Sequence, residues 1–310
     1  MLSSKFNFCK NVKIPLIIYA AIIVLTIVFG IIHGGINLDI NFKGGSRFTY
    51  TYEGEIKPAD AEKAIEDALK KDVNVTQSQA ITGDSTKLVV SLVADESLST
   101  EAQKTITDSL TKTFKDNNVK LGDSTTVSPS VAGSFFAKSL FAVGVAAVLV
   151  VIYVGIRFRK IGGVSAAITA LIALILDIIA AFAACVIFHL QIDTNFMAVV
   201  LTILGYSLND TIVTYDRIRE NRKLYPSENI ETVVDASLSV TMRRNIFTTT
   251  TTFLAIVTII VVSELFGLSS LRTFAIPMAV GIVSGCYSSM CVSGPLWVIW
   301  KKHQAKTKKK

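Results

Sequence analysis

The polar stretch from residue 35 to 133 contains no cysteine. The four cysteines of the chain are Cys9, Cys185, Cys286 and Cys291, and the last three lie inside apolar runs. A disulfide framework is thereby excluded, and no metal-ligand spacing is present. The thiols read as small apolar groups packed between helices. The same polar stretch lacks a nucleophile–base pair, a metal cluster and a phosphate-cradling loop, so neither an enzymatic activity nor a cofactor is expected. A cleavage pattern is missing as well. The first apolar run is too long for the core of a cleaved signal, and Ile36-Asn37-Leu38 lead on from it with no small-residue site.

Charge is scarce in six long runs: residues 14–32, 134–156, 164–188, 196–215, 246–262 and 274–300. Each is near the roughly 20 apolar residues that hydrocarbon requires of a spanning helix. The chain has 310 residues, 51% of them hydrophobic, which is more apolar surface than a soluble domain of this size needs. The expected fold class is therefore an α-helical membrane protein with six transmembrane helices plus one extracytoplasmic α+β domain. The expected division is 1–34 for the cytoplasmic N-terminus and first helix and 35–133 for the extracytoplasmic domain. Residues 134–300 hold helices two to six, and 301–310 form a basic cytoplasmic tail.

Lys and Arg are nearly absent from two links, residues 189–195 with none and 264–272 with one. They crowd the others: Lys5, Lys10 and Lys13; Arg157, Arg159 and Lys160; Arg217, Arg219, Arg222, Lys223, Arg243 and Arg244; and Lys301, Lys302 and Lys308 onward. Basic residues stay on the cytoplasmic side, so both termini are expected there, in a cell (inner or plasma) membrane. The net charge of +7 then lines one membrane face, where it favours anionic membrane lipids, and no nucleic-acid partner is implied. The polar domain is acidic by contrast, with 15 Asp and Glu against 11 Lys and Arg over residues 35–133.

Within that domain, alternation and β-branched or aromatic content predict strands over 46–52, 73–81, 88–93 and 119–127. Helical spacing predicts helices over 58–71, opened by Pro58, and 100–114, capped by Ser99, with Gly83-Asp84 as a turn. The order strand–helix–strand–strand–helix–strand is the split βαβ, ferredoxin-like (βαββαβ) pattern, whose two ends reach one side. Lys43-Gly44-Gly45 reads as a tight turn at the membrane exit.

Ionisable groups inside spans are costly, at least ~2.5 kcal/mol each, and tend to face the bundle and mark ion paths. The fourth span carries Asp210, with Thr202, Tyr206 and Asn209 placed near it by helical spacing. Such an acid can hold and release a proton if its surroundings raise its pKa, or it can be a structural polar knot. Asp177, mid-way along the third span, has no polar neighbour on its own helix. It is either a second proton-relay carboxylate or a neutral, hydrogen-bonded structural residue. The fifth span opens on Arg243-Arg244-Asn245 and the threonines from Thr248 to Thr252. One arginine is placed to lean toward Asp210, and Arg243 reads as an ordinary positive-inside anchor. His33 and His189 read as interfacial hydrogen-bonders, and Trp297 and Trp300 as an interface belt.

The run Gly205-Tyr206-Ser207-Leu208-Asn209-Asp210-Thr211-Ile212-Val213-Thr214-Tyr215-Asp216-Arg217-Ile218-Arg219-Glu220-Asn221, with Leu201-Thr202-Ile203-Leu204 before it, closely resembles the SecF family. So does Met242-Arg243-Arg244-Asn245-Ile246-Phe247-Thr248-Thr249. The six-span layout with a large first loop is similar too. The resemblance implies a subunit of the Sec pathway accessory complex, in the same superfamily as the proton-driven resistance–nodulation–division pumps. Such a subunit pairs with SecD beside the SecY-type translocon (SecYEG) and uses the proton motive force to promote export of secreted precursor polypeptides. The coupling ion is then a proton, with Asp210 as its carboxylate and Arg244 as the matching arginine. Asp177, Asn209, Tyr206 and Thr248 complete the expected proton pathway. Where the family's signature after the first span runs Asp, Phe, Thr, Gly, Gly, Thr, this chain has Asn41-Phe42-Lys43-Gly44-Gly45-Ser46. A half-size proton-coupled small-molecule exporter of the same superfamily, or a purely structural assembly subunit, are the other readings.

Overall fold

The computed structural model describes residues 6–70, 73–79, 86–92, 100–266 and 268–307. Six of its helical segments are long and apolar enough to cross a membrane. They are α1 (Lys13–Ile32), α5 (Pro129–Arg157), α6 (Gly163–Ile187), α7 (Thr194–Leu224), α8 (Ile230–Leu265) and a sixth made of two pieces. The sixth is α9 (Ser269–Ser288) and α10 (Gly294–Thr307), joined by a π-helical turn at Ser289–Ser293. The wide turn ends where Pro295 follows. A proline ring collides with the carbonyl four residues back, here that of Cys291, and loosening the helix there relieves the clash.

α6 and α9 form the centre, and α1 and α5 lie outside. Ile17, Ile31, Phe141 and Leu149 are among many large apolar side chains that α1 and α5 leave exposed, as hydrocarbon-facing helices do. α9 approaches α7 closely because it presents glycines there. A Cβ on Gly281 would stand 2.1 Å from the Ile203 side chain, and one on Gly285 2.9 Å from that of Ser207. Trp297 belongs to the packed core at 2% exposure, not to an interface belt. Its place on α10 turns it inward against Tyr215, Leu238 and Val298.

Charged ends carry α7 and α8 well beyond their apolar runs. Asp193 caps α7 by accepting from the amides of Asn195 (2.9 Å) and Phe196 (3.3 Å), and Asn229 caps α8 through the Glu231 amide at 3.2 Å.

Between α1 and α5 sits a small α+β domain. Its order is β1 (Gly45–Tyr52), α3 (Pro58–Leu69), β2 (Asn74–Gln79), β3 (Thr86–Leu92), α4 (Thr100–Thr113) and β4 (Lys120–Val127). The sheet runs β2-β3-β1-β4 and every neighbouring pair is antiparallel. Alternate residues Phe48, Tyr50 and Tyr52 of β1 and Leu88, Val90 and Leu92 of β3 meet Ala61 and Ile65 of α3 and Ile106 and Leu110 of α4 in its core. The expected turn at Gly83-Asp84, the cap Ser99 and the last residues of the 73–81 strand lie outside the described residues.

The root of this domain is built tightly. Asp39 caps the short helix α2 (Ile40–Lys43), accepting from the Ile40 amide (2.8 Å) and the Asn41 side chain (2.7 Å), and it forms an ion pair with Arg47 of β1. Gly44 has φ +84°, and a Cβ there would stand 2.9 Å from the Pro129 Cα. Lys43 ends α2 and Gly45 opens β1, so the expected tight turn is a one-residue joint at Gly44, and it is also the point where the two ends of the domain press together, since Gly45 pairs with Val127.

Candidate functional site

At about 100° per residue, positions 203, 207, 210, 211, 214 and 218 of α7 share one stripe, and Ile203, Ser207, Asp210, Thr211, Thr214 and Ile218 are all buried. The polar face expected from Thr202, Tyr206, Asn209 and Asp210 is therefore split. Thr202 and Asn209 are exposed, Tyr206 is half-buried and only Asp210 points fully inward. The reason is angular. Residues 202, 206 and 209 fall on one line of the helix, and residue 210 sits about 100° past residue 209, on the inner flank.

Asp210 is 3% exposed, and its Oδ2 is buried with no protein partner. Arg244 is the charge that acts on it, but the two form no ion pair within 4 Å, and Arg244 is exposed. Instead Arg244 lines a cleft of about 490 Å³ between α7 and α8 with Val213, Asp216, Arg217, Arg219 and Thr241. The other arginines around it have carboxylate partners: Arg217 pairs with Glu220 (2.7 Å), and Arg219 and Arg157 share Asp216 (2.8 and 3.0 Å). Among the described residues that line the cleft, Arg244 is the arginine with no carboxylate within 4 Å. Arg243 lies over the Phe247 ring at 5.5 Å, facing outward as an anchor should. Tyr206 donates to Thr252 of α8 at 3.2 Å. Thr248 bonds carbonyls of its own helix, those of Arg244 and Asn245, and does not reach Asp210.

Asp177 of α6 is fully buried and has partners on three other helices. Ser207 (2.6 Å) of α7 and Ser288 (2.9 Å) of α9 donate to one oxygen. Ser284 (2.8 Å) of α9 and Tyr19 (3.4 Å) of α1 donate to the other. Tyr19 is closer to the Ser284 hydroxyl, at 2.8 Å, and leans on Asp177 through it. The two carboxylates thus differ in kind, one caged by four hydroxyls and one with a free oxygen. Cys286 of α9 is within reach of the charge of both.

Sequence reasoning gave no site role to Tyr19, Ser207, Ser284, Ser288 or Thr214, and took Thr249 only as one of the threonines from Thr248 to Thr252. Only the four-residue spacing of Ser284 and Ser288 on one face of α9 hinted at a shared target.

A family model described as protein export membrane protein SecD/SecF, C-terminal, matches residues 105–303. This chain belongs to the SecD/SecF family. Among its SecD/SecF relatives, the SecF of Borreliella burgdorferi is 32% identical over 301 residues, covering 96% of this chain and 98% of the relative. The SecDF of Bacillus subtilis is 31% identical over 305 residues, and there the match spans 39% of the longer protein. Crystal structures of SecDF superpose as well. The one from Thermus thermophilus gives a TM-score of 0.75 at 27% identity over 97% of this chain and 39% of its own length. A super-membrane-facing form of SecDF gives 0.64 at 28%, over 99% of this chain and 40% of that one. The SecD/SecF chain described here is accordingly a multi-pass membrane protein of the protein-transport class.

Proposed function

We propose that this chain is the SecF-type subunit of a protein-export complex, and that it converts the proton gradient into movement through Asp210 and Arg244. The observation that carries the reading is the pair itself: a buried carboxylate with one free oxygen, and nearby the one arginine of the cleft's described lining that has no carboxylate within 4 Å. Ionised Asp210 draws Arg244 in, and protonated Asp210 releases it, so a local charge change biases the packing of α7 against α8. One proton crossing ~100 mV supplies about 2.3 kcal/mol, enough to shift two close states.

SecD is the proposed partner, because in Bacillus subtilis and Brucella abortus the matching sequence is part of a single SecDF chain. A SecY-type translocon is proposed because the Thermus SecDF is described as translocon-associated. The α+β domain, with its order β2-β3-β1-β4, is read as ferredoxin-like and placed outside the cytoplasm by the basic residues on the opposite links. Secreted precursor chains are its proposed cargo.

The test is export of a secreted precursor into membrane vesicles carrying Asp210→Asn, with and without a proton gradient. The gradient-dependent part of export is expected to vanish while the gradient-independent part persists. Undiminished stimulation by the gradient would remove Asp210 from the mechanism.

A further inference from the structure

Asn245 follows Arg244 on α8 and is 0% exposed, yet neither its amide nitrogen nor its carbonyl oxygen meets a protein partner. One turn along α8 the buried Thr249 hydroxyl is in the same condition, and so on α7 are the hydroxyl of Thr214 and Oδ2 of Asp210, again one turn apart. Five buried polar atoms from four residues are thus left over on two packed helices. Tyr206, one turn before Asp210, donates to Thr252 of α8 at 3.2 Å, so the two helices meet at this level of the bundle.

Proteins bond more than nine in ten of their buried polar groups, and inside hydrocarbon an orphaned group has no bulk water to fall back on. The usual remedy is a bound water that bonds two to four such groups at once. An open cleft adjoins these residues. The cleft of about 490 Å³ that Arg244 lines is also lined by Thr241, one turn before Asn245, and by Val213, the neighbour of Thr214.

We propose that α7 and α8 hold a hydrated relay in which Asn245, with Thr214 and Thr249, positions water between the Arg244 cleft and Asp210. This rests on the reading of Asp210 as the proton-carrying carboxylate. An amide suits the post because it both donates and accepts and does not itself titrate. Each bound water takes a proton on one lone pair as it passes another from its opposite side, so the net change is one proton onto Asp210 Oδ2 and one taken up at the cleft. The charged and titratable groups around this path are Asp210, Asp216, Arg217, Arg219 and Glu220 of α7, Arg244 of α8, Cys286 of α9 and Asp177 of α6. Asn245 is a positioning residue, acting through the water it holds.

The test follows the carbonyl band of protonated Asp210 by infrared spectroscopy on the full chain in liposomes, as water is replaced by heavy water. The band is assigned by its loss in Asp210→Asn. Asn245→Leu is expected to slow exchange of that band about tenfold, Thr214→Val to slow it as well, and Asn245→Ser to restore it. Melting curves check that each variant folds. Exchange in both Asn245→Leu and Thr214→Val as fast as in the parent overturns the relay. If instead the band fails to respond to pH even in the parent, the proton-carrying reading of Asp210 falls, and the two failures are told apart.

Discussion

The amide of Asp39 donates to the carbonyl of Ile192 at 3.0 Å, and Ile192 donates back to Asn37 at 2.8 Å. These two bonds stitch the stalk of the α+β domain to the link that caps α7, since Asp193 is the next residue. Phe42 of α2 joins Ile192, Phe196, Val199 and Ile203 in one apolar cluster, and its ring meets Phe135 and Phe136 of α5 at 5.7 and 5.6 Å. The helix carrying Asp210 and the α+β domain therefore share a joint built of backbone hydrogen bonds and apolar contacts.

The first prediction concerns that joint. Gly44 has φ +84° and ψ 166°, a region that side chains enter only at about 1–3 kcal/mol, and the Pro129 backbone blocks the added Cβ. Gly44→Ala is expected to destabilise the chain by at least that much in detergent unfolding. Gly133→Ala is the control, because nothing lies within 4 Å of its added Cβ and alanine gains about 1 kcal/mol in a helix. Equal melting of the two variants would show that the joint is not closed at Gly44.

The second prediction separates the two buried acids. Asp177 accepts hydroxyls from three helices, so Asp177→Leu strands several donors at once. About 2–4 kcal/mol of destabilisation is expected, and less for Asp177→Asn, whose oxygen still accepts. Tyr19→Phe removes the longest contact and is expected to cost about 0.6 kcal/mol, the usual worth of a hydrogen bond between membrane helices. Reversible unfolding of single and double variants measures all of this. A Tyr19→Phe effect unchanged in the Asp177→Leu background would mean that the tyrosine does not act through the aspartate.

Much of this arrangement could be read from the chain itself, and what was missed has physical causes. Alternation marked β1, β3 and β4, and Pro58 marked the start of α3, because those signals are local. α8 begins at Ile230, well before the apolar run at 246. Glu231, Asp235, Arg243 and Arg244 interrupt hydropathy without interrupting the helix, and the Asn229 cap fixes its start. The partners of Asp177 were invisible because serine costs little in an apolar run, and Tyr19 and Ser288 lie 158 and 111 residues away in sequence. Which flank of α7 faces inward depended on the neighbours packed against it. Asp210 was therefore found from its charge and from the family resemblance of the run around it, while Asn209 and Thr202 turned out to face outward.

The last prediction is a pH effect at the corner opposite the charged cleft. His189 closes the link after α6 with φ 50°, and its ring lies 4.7 Å from that of His33, which contacts the Val186 carbonyl through Nδ1 at 3.1 Å. Burial, and then the charge of His33, hold His189 below its ordinary value of 6.5. The folded corner thus binds fewer protons than the open one. Its contribution to stability is full above about pH 6.5 and is lost as pH falls from there through the lower folded value. Asp193 nearby has the opposite sign. Burial raises it from 3.8, so it binds protons more readily when folded, and a group of that sign adds stability on acidification instead of removing it. Hydrogen exchange, corrected for intrinsic rates, is expected to show residues 33–36 and 189–192 losing protection between about pH 7.5 and 5.5, while the core of α6 does not. His189→Asn tests the cause, because asparagine accepts a left-handed backbone and carries no charge. The variant is expected to keep its protection across that range. If it loses protection with pH just as the parent does, the histidine pair is not the group responsible.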